Sequence, residues 1–177
     1  MADAPLAVGD AAPDFVAPAA WPDGEKGEIS LSALLEDGPV LLSFYTADFS
    51  PDCIEEWCSF RDFDWFASGD AVQVVGVSKS RTLVHRKFID YLDLSFPLVS
   101  DRDLSIAEDY GVKYRVFGVV KRSKRSCFLV DTDRRIRYVW VGDHRIDPTL
   151  DTPPVHEIYE SVVDELGLDE TESFGFT

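Results

Sequence analysis

Two cysteines, Cys53 and Cys58, lie five residues apart just after a run of apolar residues, and a thiol there can act as a nucleophile or a redox group. Ser50 and Pro51 are residue types that begin a helix, with serine as N-cap and proline at the first helical position. Cys53 therefore falls in the first helical turn, where free backbone N–H groups and the helix dipole favour a thiolate. The sequence predicts a reactive cysteine at position 53, with an inert packed cysteine as the alternative.

Acidic neighbours oppose this activation. Asp52, Glu55 and Glu56 flank Cys53, and a nearby carboxylate raises the pKa of a thiol. An activated Cys53 then needs a cationic partner from elsewhere in the chain. The basic run at residues 121–125 would ordinarily be a solvated loop face. It could supply an arginine to Cys53 if the strand that follows it lies beside the strand that precedes Cys53.

The spacing of Cys53 and Cys58 limits what they can do together. On an intact helix they are separated by about 7.5 Å of rise and about 140° of rotation. A disulfide needs Cα atoms within about 7 Å, so the helix must fray before these thiols can bond. A zinc site is disfavoured because His85, His144 and His156 show no ligand spacing with the cysteines. Cys58 could also be simply a buried residue of the helix.

The elements that position these residues follow from apolar periodicity and from proline and glycine. Strands are predicted at residues 40–45, 72–77, 96–99, 127–130 and 135–141, and helices at residues 50–67, 82–92, 104–109 and 154–166. The apolar face of the first helix is predicted to comprise Ile54, Trp57, Cys58, Arg61 and Trp65. An irregular arm with three prolines (Pro5, Pro13, Pro18) comes first, then a turn between short strands at residues 21–28. This order predicts an α/β fold with a mixed sheet.

Length and charge limit the number of domains and the kinds of partner. The 177 residues predict one domain, residues 1–177, with a loose acidic tail from about residue 168. The formal charge of -16 makes nucleic acid and anionic lipid poor partners. No apolar run is long enough to span a bilayer and no signal pattern precedes the first strand, so a cytoplasmic protein is predicted.

The composition also indicates adaptation to high salt. Asp outnumbers Glu 22 to 11, Arg outnumbers Lys 11 to 6, and Asn is absent. Acidic, lysine-poor surfaces are typical of proteins from salt-loving organisms, where salt screens the self-repulsion. An ordinary acidic protein from a mesophile is the alternative.

The residues around the cysteines resemble a known family. Residues 50–53 (S-P-D-C) and 58–62 (C-S-F-R-D) resemble the T-P-G-C-T-x-E-x-C-S-F-R-D signature of peroxiredoxins of the Q, or bacterioferritin-comigratory, type. Further matches follow in the family's order at residues 75–78, 96–101, 110–112 and 125–131. The resemblance covers roughly residues 5–165.

This resemblance implies a thioredoxin-like fold and a thiol peroxidase that reduces hydrogen peroxide and organic hydroperoxides. By its motifs, Cys53 matches the peroxidatic cysteine and Cys58 the resolving cysteine, which would form a disulfide with each other. Ser50 matches the hydroxyl residue that contacts the peroxide. Arg125 matches the arginine paired with the thiolate, and Glu56 matches the residue that holds that arginine. The family implies a thioredoxin-like or other dithiol reductant, no cofactor or metal, and a monomer.

Two positions depart from the family pattern, since Thr46 stands where the family has proline and Asp52 where it has glycine. The missing proline changes the loop that shields the thiolate, and Asp52 adds a negative charge beside it. Three alternatives therefore remain. They are a one-cysteine peroxidase with a structural Cys58, a thioredoxin-like disulfide reductase, and a redox sensor or binding domain without catalysis. The reductase is disfavoured because that chemistry uses C-x-x-C.

Overall fold

A computed structural model describes residues 4–63, 66, 71–142 and 151–168. The strands are β1 (Val16–Ala20), β2 (Lys26–Ser30), β3 (Val40–Phe44), β4 (Gln73–Ser78), β5 (Leu98–Ser100), β6 (Lys113–Val116), β7 (Val120–Ser123), β8 (Ser126–Val130) and β9 (Ile136–Val141). The helices are α1 (Leu31–Leu35), α2 (Pro51–Asp62), α3 (Thr82–Leu92), α4 (Ser105–Asp109) and α5 (Val155–Leu166).

Seven strands form one mixed sheet in the order β2-β1-β5-β4-β3-β8-β9. The pairs β3–β4 and β4–β5 are parallel, and the other pairs are antiparallel. Every residue of β3 is buried, as expected for a largely apolar strand at the centre of a sheet with both faces covered. The predicted α/β fold with a mixed central sheet flanked by helices is confirmed.

The two faces of the sheet are covered by different helices. Helices α2, α3 and α5 pack on one face through buried side chains that include Trp57, Phe88 and Val162. Helices α1 and α4 cover the opposite face, where Leu34 and Ala107 are buried. Alternate residues of the central strands project into each layer, so a strand end can hold side chains on the α2 face while its neighbours anchor the other layer.

Several predicted boundaries hold closely. Helix α3 occupies the predicted residues 82–92, and α5 ends at Gly167, whose left-handed backbone (φ 63°) caps it as expected. Strands β8 and β9 form the predicted hairpin around residues 131–133. Strand β5 begins two residues later than predicted. Of the acidic tail predicted from about residue 168, residues 169–177 lie outside the described residues.

Three predictions about the elements are wrong. Pro18 was expected in an irregular arm but lies in β1, which tolerates it because β1 pairs with β5 only through Ala19 and Ala20. Helix α2 ends at Asp62 rather than near residue 67, since the backbone of Phe63 is extended. The basic run was expected to be a loop, yet residues 120–123 form β7, which pairs with β6 in a separate hairpin.

The buried face of α2 is also shifted from the predicted one. The buried residues are Cys53, Glu56, Trp57 and Phe60, whereas Cys58 is only half-buried. The predicted face left out Glu56, although the protein buries its carboxylate against Arg125. In the part of the chain that the structure describes, no helix is both long and apolar enough to cross a membrane.

Candidate active site

Cys53 lies in the first turn of α2, directly after the loop that leaves the carboxyl end of β3. Pro51 begins the helix, with its fixed φ and its missing N–H both compatible with that position. The side chain of Cys53 is fully buried, against Trp57 and the core beneath α2. The predicted helix start therefore places the thiol near the carboxyl end of the central strand β3, inside the protein and next to the loop.

Arg125 reaches Cys53 from the neighbouring strand. Strand β8 runs antiparallel to β3 with Phe44 opposite Ser126, so the residue before β8 lies beside the end of β3. The Arg125 Nη2 group donates a hydrogen bond to Cys53 Sγ at 3.1 Å, and only 1% of Arg125 is exposed. Its backbone carbonyl accepts from Gly142 N at 2.8 Å, which fixes the start of β8. The basic run at residues 121–125 was expected either to be a solvated loop face or to supply an arginine to Cys53. The structure agrees with the second expectation.

Glu56 completes the pair of groups that hold this arginine. Its Oε2 accepts a hydrogen bond of 2.5 Å from Arg125 Nη1, and its Oε1 accepts one of 3.0 Å from the Ser43 hydroxyl. The carboxylate is buried, and burial raises the pKa of Glu56 to about 7 despite the favourable charge of Arg125. One guanidinium therefore faces two acidic groups, the thiol of Cys53 and the carboxyl of Glu56.

Ser50 and Thr46 lie in the loop that precedes the helix. Ser50 is the N-cap, but its side chain makes no capping bond; its hydroxyl donates to the carbonyl of Ala47 at 3.3 Å. This hydroxyl is half-buried and sits where it also favours the thiolate of Cys53. The Thr46 Oγ1 is buried without a hydrogen-bond partner in the structure, so the family's proline position holds a side chain with an unused polar atom.

The surroundings of Cys53 raise its pKa above the usual value for a thiol. Burial is the largest cause, followed by the negative charge of Glu56. The charge of Arg125, the backbone N–H of Ala47 and the hydroxyl of Ser50 lower it in part. The main opposing carboxylate is thus Glu56 across the arginine, one of the three acidic neighbours that the sequence singled out.

We expect Glu56→Gln to lower the pKa of Cys53. Glutamine keeps a carbonyl acceptor for Arg125, and its amide can donate to the Ser43 hydroxyl. It removes the negative charge that competes with the thiolate for one guanidinium. Because Glu56 is ionised above pH of about 7, the difference from wild type should be largest there. Thiolate absorbance near 240 nm, titrated against pH, measures it, and Glu157→Gln on α5 is the matched control. An unchanged or raised Cys53 pKa would contradict this electrostatic account.

The other cysteines differ sharply from Cys53. Cys58 is half-buried further along α2, and Cys127 is fully buried in β8 with its sulfur 3.5 Å from the Ser43 hydroxyl. Burial raises the pKa of Cys127 strongly, which makes that thiol inert. All three cysteines are free. Within the described ranges no cluster of histidine, cysteine and carboxylate residues could hold a metal. His144, one of the histidines whose spacing disfavours a zinc site, lies outside those ranges.

The sequence did not reveal a buried polar network beside this site. Asp48, in the loop, contacts the phenol of Tyr45 and the imidazole of His85. His85 lies on the apolar stripe of α3 with Phe88 and Ile89, where a polar residue signals a buried partner. Nothing in the local sequence identifies the partner of His85, which lies 37 residues away.

Comparisons with known proteins agree with this geometry. Residues 8–139 match the model of the AhpC/TSA family. A curated relative from Mycobacterium tuberculosis, named as a peroxiredoxin, is 35% identical over 138 residues, which cover 78% of this chain and 90% of the relative. A relative from Coxiella burnetii, named as peroxiredoxin bcp, is 36% identical over 138 residues, covering 76% of this chain and 88% of the relative.

The solved structures give the same result. The crystal structure of the peroxidoxin BcpB from Mycobacterium tuberculosis superposes with a TM-score of 0.73 at 30% sequence identity, covering 93% of this chain and 99% of that one. The matched family segment includes the loop, α2, and both Cys53 and Arg125. From its sequence, its fold and the geometry around Cys53, this chain belongs to the AhpC/TSA family of peroxiredoxins.

Proposed function

We propose that this protein is a thiol peroxidase that reduces hydrogen peroxide and organic hydroperoxides through Cys53. The observation that carries the proposal is the 3.1 Å contact from the Arg125 guanidinium to the Cys53 sulfur, at the N-terminus of α2. A buried cation and free helical N–H groups favour charge on the sulfur and on an oxygen displaced beside it. Membership of the AhpC/TSA family gives independent support for the activity.

The first chemical step oxidises Cys53. Its thiolate attacks the terminal oxygen of the hydroperoxide, the O–O bond breaks, and the alkoxide or hydroxide that leaves takes up a proton. Cys53 becomes a sulfenic acid, while the peroxide is reduced to an alcohol or water. Arg125, the hydroxyl of Ser50 and the backbone N–H of Ala47 surround the sulfur on the side of the loop. We assign these groups to stabilising the developing negative charge.

The second step is resolution by Cys58. Its thiol attacks the sulfenic sulfur of Cys53, water leaves, and a disulfide forms. Both cysteines lie on α2, so the first turns of the helix must unwind before the sulfurs can meet. The absence of a side-chain cap at Ser50 lowers the cost of opening that end. Thr46 lies in the loop that precedes these turns.

A dithiol protein of the thioredoxin type would then reduce the disulfide and supply the two electrons of each cycle. No cofactor or metal enters this scheme. We also propose a cytoplasmic location, because free cysteines suit a reducing compartment. We propose a monomer, as the resemblance to the Q type implies. A one-cysteine cycle, in which the donor attacks the sulfenic acid directly, is the second candidate, since Cys58 is half-buried within an intact helix.

We expect purified protein to oxidise a thioredoxin-type donor in proportion to added peroxide, one donor disulfide per peroxide reduced. Cys127→Ser should behave as wild type, because Cys127 is buried in β8 away from the thiolate. Donor consumption with time, measured with and without hydrogen peroxide, tests the proposal. Oxidation of the protein without turnover of the donor would instead favour the redox sensor.

A further inference from the structure

We infer that Tyr45, Asp48 and His85 form a buried clamp that positions residues 46–50, the loop facing the peroxide. The inference rests on the proposed function, because it assigns the clamp to the reaction of Cys53 with peroxide. Among the described residues, none of its three side chains makes a hydrogen bond to the Cys53 sulfur. They are positioning residues, which act through the loop.

The clamp ties the loop to four other parts of the fold. Asp48 accepts hydrogen bonds from the phenol of Tyr45 at the end of β3 (2.5 Å) and contacts Nδ1 of His85 on α3 (2.7 Å). The other ring nitrogen of His85 lies 3.1 Å from the carbonyl oxygen of Val99 in β5. The backbone N–H of Asp48 donates to the hydroxyl of Ser80, just after β4, at 3.1 Å.

The hydrogen-bonding chemistry fixes the direction of these contacts. A carbonyl oxygen only accepts, so Nε2 of His85 carries a proton and donates it to Val99. Burial, and next the charge of Asp48, raise the pKa of Tyr45 well above its ordinary value, so the phenol keeps its proton and donates. A single proton is then shared between Asp48 and Nδ1 of His85. Every polar atom of the three buried side chains has a partner, as a rigid buried network requires.

The loop needs such an anchor. Phe49 has a left-handed backbone (φ 63°), a conformation that a phenylalanine does not favour by itself. Residues 46–50 contain no proline of their own, although Pro51 restricts the backbone of Ser50. Tertiary contacts must therefore hold the loop, and the clamp provides the buried polar ones through Asp48.

Asp48 lies between the two loop groups that face the thiol. The backbone N–H of Ala47 and the hydroxyl of Ser50 both favour the thiolate of Cys53, and each is within two residues of Asp48. A shift of the loop would move both donors away from the sulfur and from the oxygen that leaves. The Arg125 contact comes from β8 and would remain. Loss of the clamp should therefore impair peroxide reduction far more than it impairs thiolate formation.

Two reactions of Cys53 separate these effects. Alkylation by iodoacetamide depends mainly on the thiolate, whereas reduction of peroxide also needs donors aligned with the displaced oxygen. We expect Asp48→Ala to lower the rate constant with hydrogen peroxide by about 100-fold, the cost of a misplacement of about 1 Å. Alkylation should fall much less, so the ratio of the two rate constants should drop at least about tenfold. Rapid quenching and mass spectrometry of Cys53 give both rates.

Asp48→Asn provides the rescue. Its carbonyl can accept from Tyr45 and its amide can donate to Nδ1 of His85, which keeps both side-chain contacts without a charge. We expect this variant to retain most of the wild-type ratio. The matched control is Asp90→Ala, an exposed carboxylate on α3 that pairs with Arg86. Ser80→Ala, which removes only the acceptor of the Asp48 N–H, should lower the ratio by less and serves if Asp48→Ala does not fold.

The outcomes separate the clamp from the proposed function. If wild-type Cys53 reacts rapidly with peroxide and neither Asp48→Ala nor Ser80→Ala lowers the ratio, the clamp is only structural and the peroxidase assignment stands. A failure of Asp48→Asn to restore the ratio would also overturn the clamp as described. If wild-type Cys53 is alkylated but does not react with peroxide, the proposed function is wrong and the clamp has no such role.

Discussion

Replacing Cys53 with serine should reduce peroxide consumption to the rate of the uncatalysed reaction. A hydroxyl in the same position is protonated at neutral pH and is a far weaker nucleophile than a thiolate, and it cannot form a sulfenic acid. The substitution exchanges one sulfur atom for a smaller oxygen atom, so the contacts of α2 with the core should persist. Loss of activity with an unchanged melting temperature would therefore show that the nucleophile, and not the fold, had been lost.

The matched control for this prediction is Cys127→Ser. Both cysteines are fully buried, but only Cys53 lies beside Arg125 and the loop. Peroxide consumption with a dithiol donor should vanish in Cys53→Ser and persist in Cys127→Ser. Substantial turnover by Cys53→Ser would remove Cys53 from the mechanism, whatever its surroundings.

The second large effect should follow loss of Arg125. Its guanidinium is the one side-chain cation found within hydrogen-bond distance of the Cys53 sulfur among the described residues, and it is almost fully buried. Without it the pKa of Cys53 should rise further, and the displaced oxygen should lose a charged donor. We expect the rate constant with peroxide to fall by about 10²- to 10³-fold, as for loss of a donor to a developing oxyanion.

The experiment needs Glu56→Gln as its background. Removing Arg125 alone would leave the buried carboxylate of Glu56 without its partner, at a cost of about 3–5 kcal/mol in stability. We therefore compare Glu56→Gln with the double variant Glu56→Gln/Arg125→Ala, and use Arg115→Ala, an exposed arginine on β6, as control. A peroxide rate in the double variant equal to that of Glu56→Gln would show that another group activates the thiol.

Much of the fold could be predicted because its signals are local. Strand β3 is apolar except for Ser43, and α3 places Phe88, Ile89 and Leu92 on one stripe, so both are recognised within their own residues. Pro18 misled the prediction because its tolerance in β1 depends on how far β5 extends, which is a property of the sheet. Element boundaries depend on such tertiary contacts more than element types do.

The candidate site could likewise be predicted only where its signals are local. The helix start at Ser50 and Pro51, and hence the place of Cys53, could be predicted from local residue types. Arg125 was only one option within a basic run, because its contact with Cys53 depends on β8 pairing with β3. Burial of Glu56 and the contact of Asp48 with His85 join segments far apart in sequence, and no local pattern encodes them.

The central claim is that peroxide oxidises Cys53 and that Cys58 resolves the product. Peptide mapping by mass spectrometry, after one equivalent of hydrogen peroxide under anaerobic conditions, tests it most directly. The account predicts a disulfide between Cys53 and Cys58 in wild type, with Cys127 still a free thiol. In Cys58→Ser it predicts a sulfenic acid at Cys53 that a dione reagent can trap. A reduced Cys53 in either protein, with the peroxide consumed at Cys58 or Cys127, would contradict it.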